Sequence, residues 1–137
     1  MAVSGIFLRL RQANMPEAEV AIGGRLIRVD LAATASSREL GLSGRKTLKE
    51  GEGMLFVFSE RGLHAFWMKG MLFSIDIVWI DGNSIVDIAS SVPLPAEGET
   101  LPVLRPRVEA NFVLEVPAGY ARNFGWKIGD KAVIRYK

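Results

Sequence analysis

A chain of 137 residues with 49% hydrophobic and 23% charged side chains has the balance of one ordinary globular domain, which excludes global disorder. The formal net charge is only +2, and the nearest approaches to basic clusters, Arg45-Lys46-Lys49 and Arg105-Arg107, are each followed by acids, so a concentrated nucleic-acid-binding face is disfavoured. There is no cysteine, which excludes disulfides, thiol catalysis and thiolate metal sites.

Residues 1–24 are weakly patterned and read as an N-terminal lead-in, with a short strand expected at Ile6–Leu10; residues 25–137 read as a single domain. The lead-in lacks the long apolar core of a secretory signal. The expected location is cytoplasmic if the chain is complete and extracytoplasmic if a signal preceded this numbering. In "RLIRVDLA", Ile27, Val29 and Leu31 alternate with polar residues, which predicts a half-buried strand. Ser36-x-x-Glu39 has the spacing of a capping box and predicts a short helix, limited by Gly41 and Gly44.

"GMLFVF", Gly53–Phe58, is a continuous apolar run and reads as a strand buried on both faces. "AFWMK" and "SIDIVWI" are strand-like, Asp81-Gly82-Asn83 is a turn signal, and "SIVDIAS" returns after it. Residues 65–80 are too short and too charged for a membrane span. The stretch Pro93–Asn111 holds four of the six prolines and reads as a long loop forming one wall of the functional surface. "NFVLEV", one helical turn in "YARNFGW" and a final strand in "KAVIRYK" complete the chain. The predicted fold class is α+β, predominantly β: one domain with a partly closed, barrel-like antiparallel or mixed sheet and one or two short helices.

The apolar segment His64–Gly82 carries two charges, Lys69 and Asp76. If its two strand-like halves form a hairpin, the register that opposes Lys69 to Asp76 also opposes Phe66 to Trp79, and the charges become a partly buried ion pair. A tight Asp81-Gly82 turn would further bring Asp87 opposite Asp76, a carboxylate dyad in which one pKa rises. Other motifs fail. "GLSGRKT" lacks the glycine spacing of a phosphate loop, and His64 is the single histidine, so neither a zinc site nor a serine–histidine pair is supported.

Arg38-x-x-Gly41-Leu42, Arg45-x-x-Leu48, "GMLFVF", "FWMK", "IDIVWID" and "VLEVPAG" followed by "GD" occur in order across roughly Arg25 to Lys137. This series resembles the DUF192 (COG1430) family of small bacterial and archaeal domains. The resemblance maps the family pattern onto Arg38, Gly41, Leu42, Arg45, Gly53, Met54, Phe66, Trp67, Met68, Lys69, Asp76 and Gly119. It departs from that pattern at Ser43, Gly70, Met71 and Ser74, which removes polar groups usual beside Lys69. Many relatives carry an export signal.

The leading functional expectation is a non-enzymatic binding or accessory domain with Arg38, Arg45, Trp67, Lys69, Asp76 and Glu115 as candidate binding residues. No catalytic residue, cofactor or metal is assigned. The partner is a small ligand or a protein, and the oligomeric state is open. Two alternatives remain: a small hydrolase-like enzyme using Asp76, Lys69 and Glu115, and an RNA-binding module using Arg38, Arg45, Lys69 and the aromatic residues. Arg38 and Arg45 are also expected to bond to carboxylates or carbonyls of the fold itself.

Overall fold

The computed structural model describes residues 15–137. Strand β1 (Glu17–Ile22) buries Ala18, Val20 and Ile22 on one face and pairs antiparallel with β2 (Arg25–Ala32). Gly23 and Gly24 join them with φ of 55° and 77°, the left-handed backbone that a two-residue hairpin loop of this twist requires. Residues 17–24, expected in the lead-in, therefore belong to the sheet. The strand expected at Ile6–Leu10 lies outside the described residues.

Helix α1 (Ala35–Leu40) begins earlier than the Ser36-x-x-Glu39 spacing suggests. Thr34 is the cap: its Oγ1 accepts the Ser37 amide at 3.1 Å, and the Ser37 hydroxyl accepts the Thr34 amide at 3.0 Å. Thr34 has the extended backbone a cap residue needs, whereas Ser36 is already helical. Beyond α1 the chain enters β3 (Glu52–Gly62), which runs parallel to β2 and is buried on both faces over Gly53–Phe56.

Then follow β4 (Phe66–Trp67), β5 (Ile75–Asp81), β6 (Ser84–Val92), β7 (Val103–Leu104), β8 (Ala110–Pro117), the short helix α2 (Tyr120–Asn123) and β9 (Ala132–Tyr136). Seven strands form one mixed sheet in the order β6-β5-β8-β3-β2-β1-β9, while β4 and β7 make a separate two-stranded ribbon. The large sheet curls until its edges meet at one end: Ile85 donates to Asp130 O at 2.9 Å, and Ala132 donates to Asn83 O at 2.8 Å. The result is a half-barrel, as the strand pattern predicts. Among the described residues, no helix is long and apolar enough to cross a membrane.

The hairpin expected between "AFWMK" and "SIDIVWI" does not form. All of Ile75–Ile80 is buried, and β5 takes β6 on one side and β8 on the other. A strand apolar on both faces sits between two full neighbours, so no edge is left for β4, which pairs with β7 instead. Phe66 and Trp79 still meet, edge to face at 6.5 Å, but as layers packed together rather than as cross-strand partners.

Two cores result. One draws on all seven strands of the large sheet and is closed by Tyr120, Ala121 and Trp126 around α2. The other lies on the opposite face, where Met54, Phe56, Ile77, Trp79 and Val113 are covered by Leu42, Phe66 and Met68. At Gly53 the chains approach so closely that a Cβ would stand 2.5 Å from the Glu115 carbonyl oxygen.

The proline-rich loop docks at two points. Leu104 of β7 pairs with Phe66. The Arg107 guanidinium and amide both donate to Asp87, at 2.7 Å and 2.8 Å. Burial alone would raise the Asp87 pKa, but bonds from Arg107 and the Ile88 amide outweigh it and hold the carboxyl below its ordinary value.

Candidate functional site

The two charges of the apolar segment do not meet. Asp76 is fully buried, and its carboxylate accepts three backbone amides: Ser91 at 2.6 Å and Gly119 at 3.0 Å on Oδ1, and Ala121 at 2.8 Å on Oδ2. It is a knot that ties β5 to the end of β6 and to the start of α2. Ser91 is held there with φ of 49°, a strained backbone for a residue other than glycine. Lys69 is exposed, with its ammonium 5.2 Å from the centroid of the Trp67 ring. The expected ion pair is replaced by a backbone-satisfied carboxylate and a solvent-facing cation.

The expected Asp76–Asp87 dyad is also absent. A bulge in β6 pairs Asp87 with Trp79, which puts it on the opposite face of β5 from Asp76. Two-sided burial of β5 separates the carboxylates.

Glu115 behaves differently. It lies on β8 between Met54 of β3 and Ile77 of β5, at 5% exposure. Burial pushes its carboxyl up to about 8, and no group of the described residues bonds to that carboxyl to offset the effect. A cavity of about 290 Å³ opens above it. Phe56 and Phe58 of β3 and Phe66 and Trp67 of β4 form walls, and the end of α1 with Gly41–Ser43 closes another side.

Local chemistry explains how these walls are held. Gly41 ends α1 with φ of 51°, and a Cβ there would come within 3.2 Å of the Phe56 ring, so the helix end can press directly on the aromatic wall. Arg38 fastens α1 to β3: its Nη1 donates to Ala33 O at 2.9 Å and Val57 O at 3.0 Å, and the guanidinium lies 5.2 Å from the Phe58 centroid. The Ser43 hydroxyl donates to Lys69 O at 2.9 Å, and the Gly44 amide donates to Gly70 O at 2.9 Å. Those bonds fix the segment after β4 as the rim.

A wider groove of about 800 Å³ lies beside the cavity and shares Trp67, Lys69 and Ser43 with it. Its hydroxyls are largely those of the α1 cap, and Thr34 and Ser37 already bond to each other at 2.8 Å. The smaller cavity holds the buried Glu115 carboxyl, to which no group of the described residues bonds, and is the stronger site.

Of the candidates read from the sequence, Arg38, Trp67, Lys69 and Glu115 therefore converge on one cavity. Asp76 and Arg45 line neither the cavity nor the groove. Arg45 donates to Asp30 Oδ2 at 3.0 Å on another part of the surface. The walls Phe56, Phe58 and Phe66 went unmarked as site residues, although Phe56 and Phe58 stand two apart in one strand and so share a face. The loop does not wall the cavity; it acts one step removed, by holding β4 through β7. Among the described residues, no group of three or more histidine or carboxylate side chains is placed to hold a metal ion.

Residues 18–134 match the family model DUF192, described as uncharacterized ACR, COG1430. A proposed transcription regulator from Sinorhizobium meliloti 1021 superposes with a TM-score of 0.78 at 28% identity, covering 87% of this chain and 94% of that one. A protein of unknown function from Novosphingobium aromaticivorans DSM 12444 superposes with a TM-score of 0.74 at 28% identity, covering 86% of this chain and 83% of that one. No curated protein matches the sequence.

Proposed function

The chain belongs to the DUF192 family, and on that footing we propose that it is a non-enzymatic binding domain whose site is the cavity beneath Trp67 and Lys69. One observation carries the reading: Glu115 places a buried carboxyl, to which no group of the described residues bonds, at a cavity walled by aromatic rings. A carboxyl with little access to water and no partner among the described residues gains from a ligand that bonds to it. A mostly apolar concavity with few polar anchors is also the usual form of a small-molecule site.

The alternatives have less support. The hydrolase reading needs Asp76 beside Lys69, and Asp76 is committed to three amides away from the cavity. The RNA reading needs free arginines, and Arg38 and Arg45 donate to groups of the fold itself. A ligand-sensing domain is also compatible with the regulatory role proposed for the Sinorhizobium relative.

The test is a fragment screen followed by amide chemical shifts. Bound fragments should move the amides of Gly41–Ser43, Phe56–Phe58 and Phe66–Lys69, and Glu115→Leu should suppress the effect. A screen that moves none of these amides retires the reading.

A further inference from the structure

Resting on that reading, we propose that the cavity takes a small zwitterion, with its organic ammonium group against Glu115 and the aromatic walls and its anionic group at Lys69. The charged residues lining the cavity besides Glu115 are Arg38 and Glu39 of α1 and Lys69 after β4; the flanking strands β3 and β5 bring none. Neither cation pairs with the Glu115 carboxyl: the Arg38 guanidinium donates to the Ala33 and Val57 carbonyls, and the Lys69 ammonium lies beside the Trp67 ring. An ionised Glu115 lacks a positive partner, and a bound ammonium supplies it.

The walls suit the same group. Phe56 and Phe66 stand 4.9 Å apart at 75°, and Phe58 and Phe66 stand 6.4 Å apart at 83°. Phe58 is already stacked on the His64 ring at 3.6 Å and has the Arg38 guanidinium 5.2 Å from its centroid, so among these rings the half-buried Phe66, which lines the cavity, is the one left to meet an ammonium. At the mouth, the Lys69 ammonium has Trp67 as its neighbour and no carboxylate partner among the described residues. It is free to receive an anion. The cavity volume of about 290 Å³ fits a molecule of free amino-acid or betaine size rather than a peptide. Glu115 inside and the Lys69 cation at the rim also orient such a ligand, because the reversed pose sets its anion against Glu115 and its ammonium against Lys69, with Arg38 and Glu39 of α1 offsetting each other.

Calorimetric titration with three probes tests this. Glycine betaine carries both charges; 3,3-dimethylbutyrate keeps its shape and carboxylate without the positive charge; tetramethylammonium keeps the cation without the carboxylate. Betaine should bind, and each of the others should bind at least about tenfold more weakly. Glu115→Gln should weaken betaine by at least about tenfold and leave 3,3-dimethylbutyrate unchanged, whereas Lys69→Gln should weaken betaine and leave tetramethylammonium unchanged. Because the ammonium binds the ionised carboxylate, betaine affinity should rise by up to about tenfold per pH unit toward pH 8 and level off above it.

No betaine binding, equal binding of betaine and 3,3-dimethylbutyrate, full betaine affinity in Glu115→Gln, or affinity that falls as pH rises would each overturn the zwitterion. The fragment experiment decides separately whether the cavity binds ligands at all.

Discussion

Replacing Asp76 with asparagine keeps the shape of the side chain and removes its charge. In the parent, Oδ1 accepts Ser91 and Gly119 and Oδ2 accepts Ala121. In the variant, the best orientation keeps oxygen toward Ser91 and Gly119 and turns an NH₂ group against the Ala121 amide. Flipping the amide is worse, since two donors then face the nitrogen. One buried amide left without an acceptor costs about 1–3 kcal/mol, and two bonds that lose their charge assistance forfeit roughly 1 kcal/mol each. The expected loss is therefore about 3–5 kcal/mol, a large part of the roughly 5–15 kcal/mol that holds such a domain together. Lys69→Met removes the other charge of the segment and should stay within about 0.5 kcal/mol of the parent, since that side chain is exposed and has no carboxylate partner among the described residues. Urea denaturation at unchanged slope measures both. Asp76→Asn within about 1 kcal/mol of the parent would refute the backbone-knot argument. Equal losses from the two variants would restore the ion pair.

Glu115 should make stability depend on pH in a definite direction. Its folded carboxyl is raised to about 8 from an ordinary 4.5, so the native state holds the proton more tightly than the unfolded chain. The resulting stability is complete below the unfolded pKa and is lost as pH rises through 8, by at most about 5 kcal/mol. Melting temperature followed against pH should show that decline in the parent and a flatter curve in Glu115→Gln; parallel curves would contradict it. Gly53→Ala should destabilise by about 3 kcal/mol or prevent folding, because the new methyl has backbone rather than a flexible side chain in its way. A normal denaturation midpoint for that variant would mean that β3 and β8 can separate without loss. Arg107→Ala should speed proteolytic cutting within residues 94–102 while leaving the β-sheet amides protected from exchange, and an unchanged cutting rate would show that β7 alone anchors the loop.

Local pattern was enough for much of the fold. Ile27, Val29 and Leu31 alternate because β2 has unlike faces, and Gly53–Phe56 is apolar throughout because β3 is covered on both sides. The turn before β6 and the helical turn at Tyr120 follow equally from residue chemistry. Partner choice was not local. The nearest opposite charge to Asp76 in the segment is Lys69, yet the groups that satisfy Asp76 are amides 15, 43 and 45 residues away, and a backbone amide leaves no mark in a sequence. The site divides the same way. Side-chain type singled out Arg38, Trp67, Lys69 and Glu115. Only the tertiary fold set them around one cavity beside Phe56, Phe58 and Phe66, and left Arg45 and Asp76 outside it. Periodicity records how much of each strand must be buried, because every residue carries its own hydrophobicity; it does not record which strand does the burying, because that depends on backbone hydrogen bonds and packing that close only when distant segments meet.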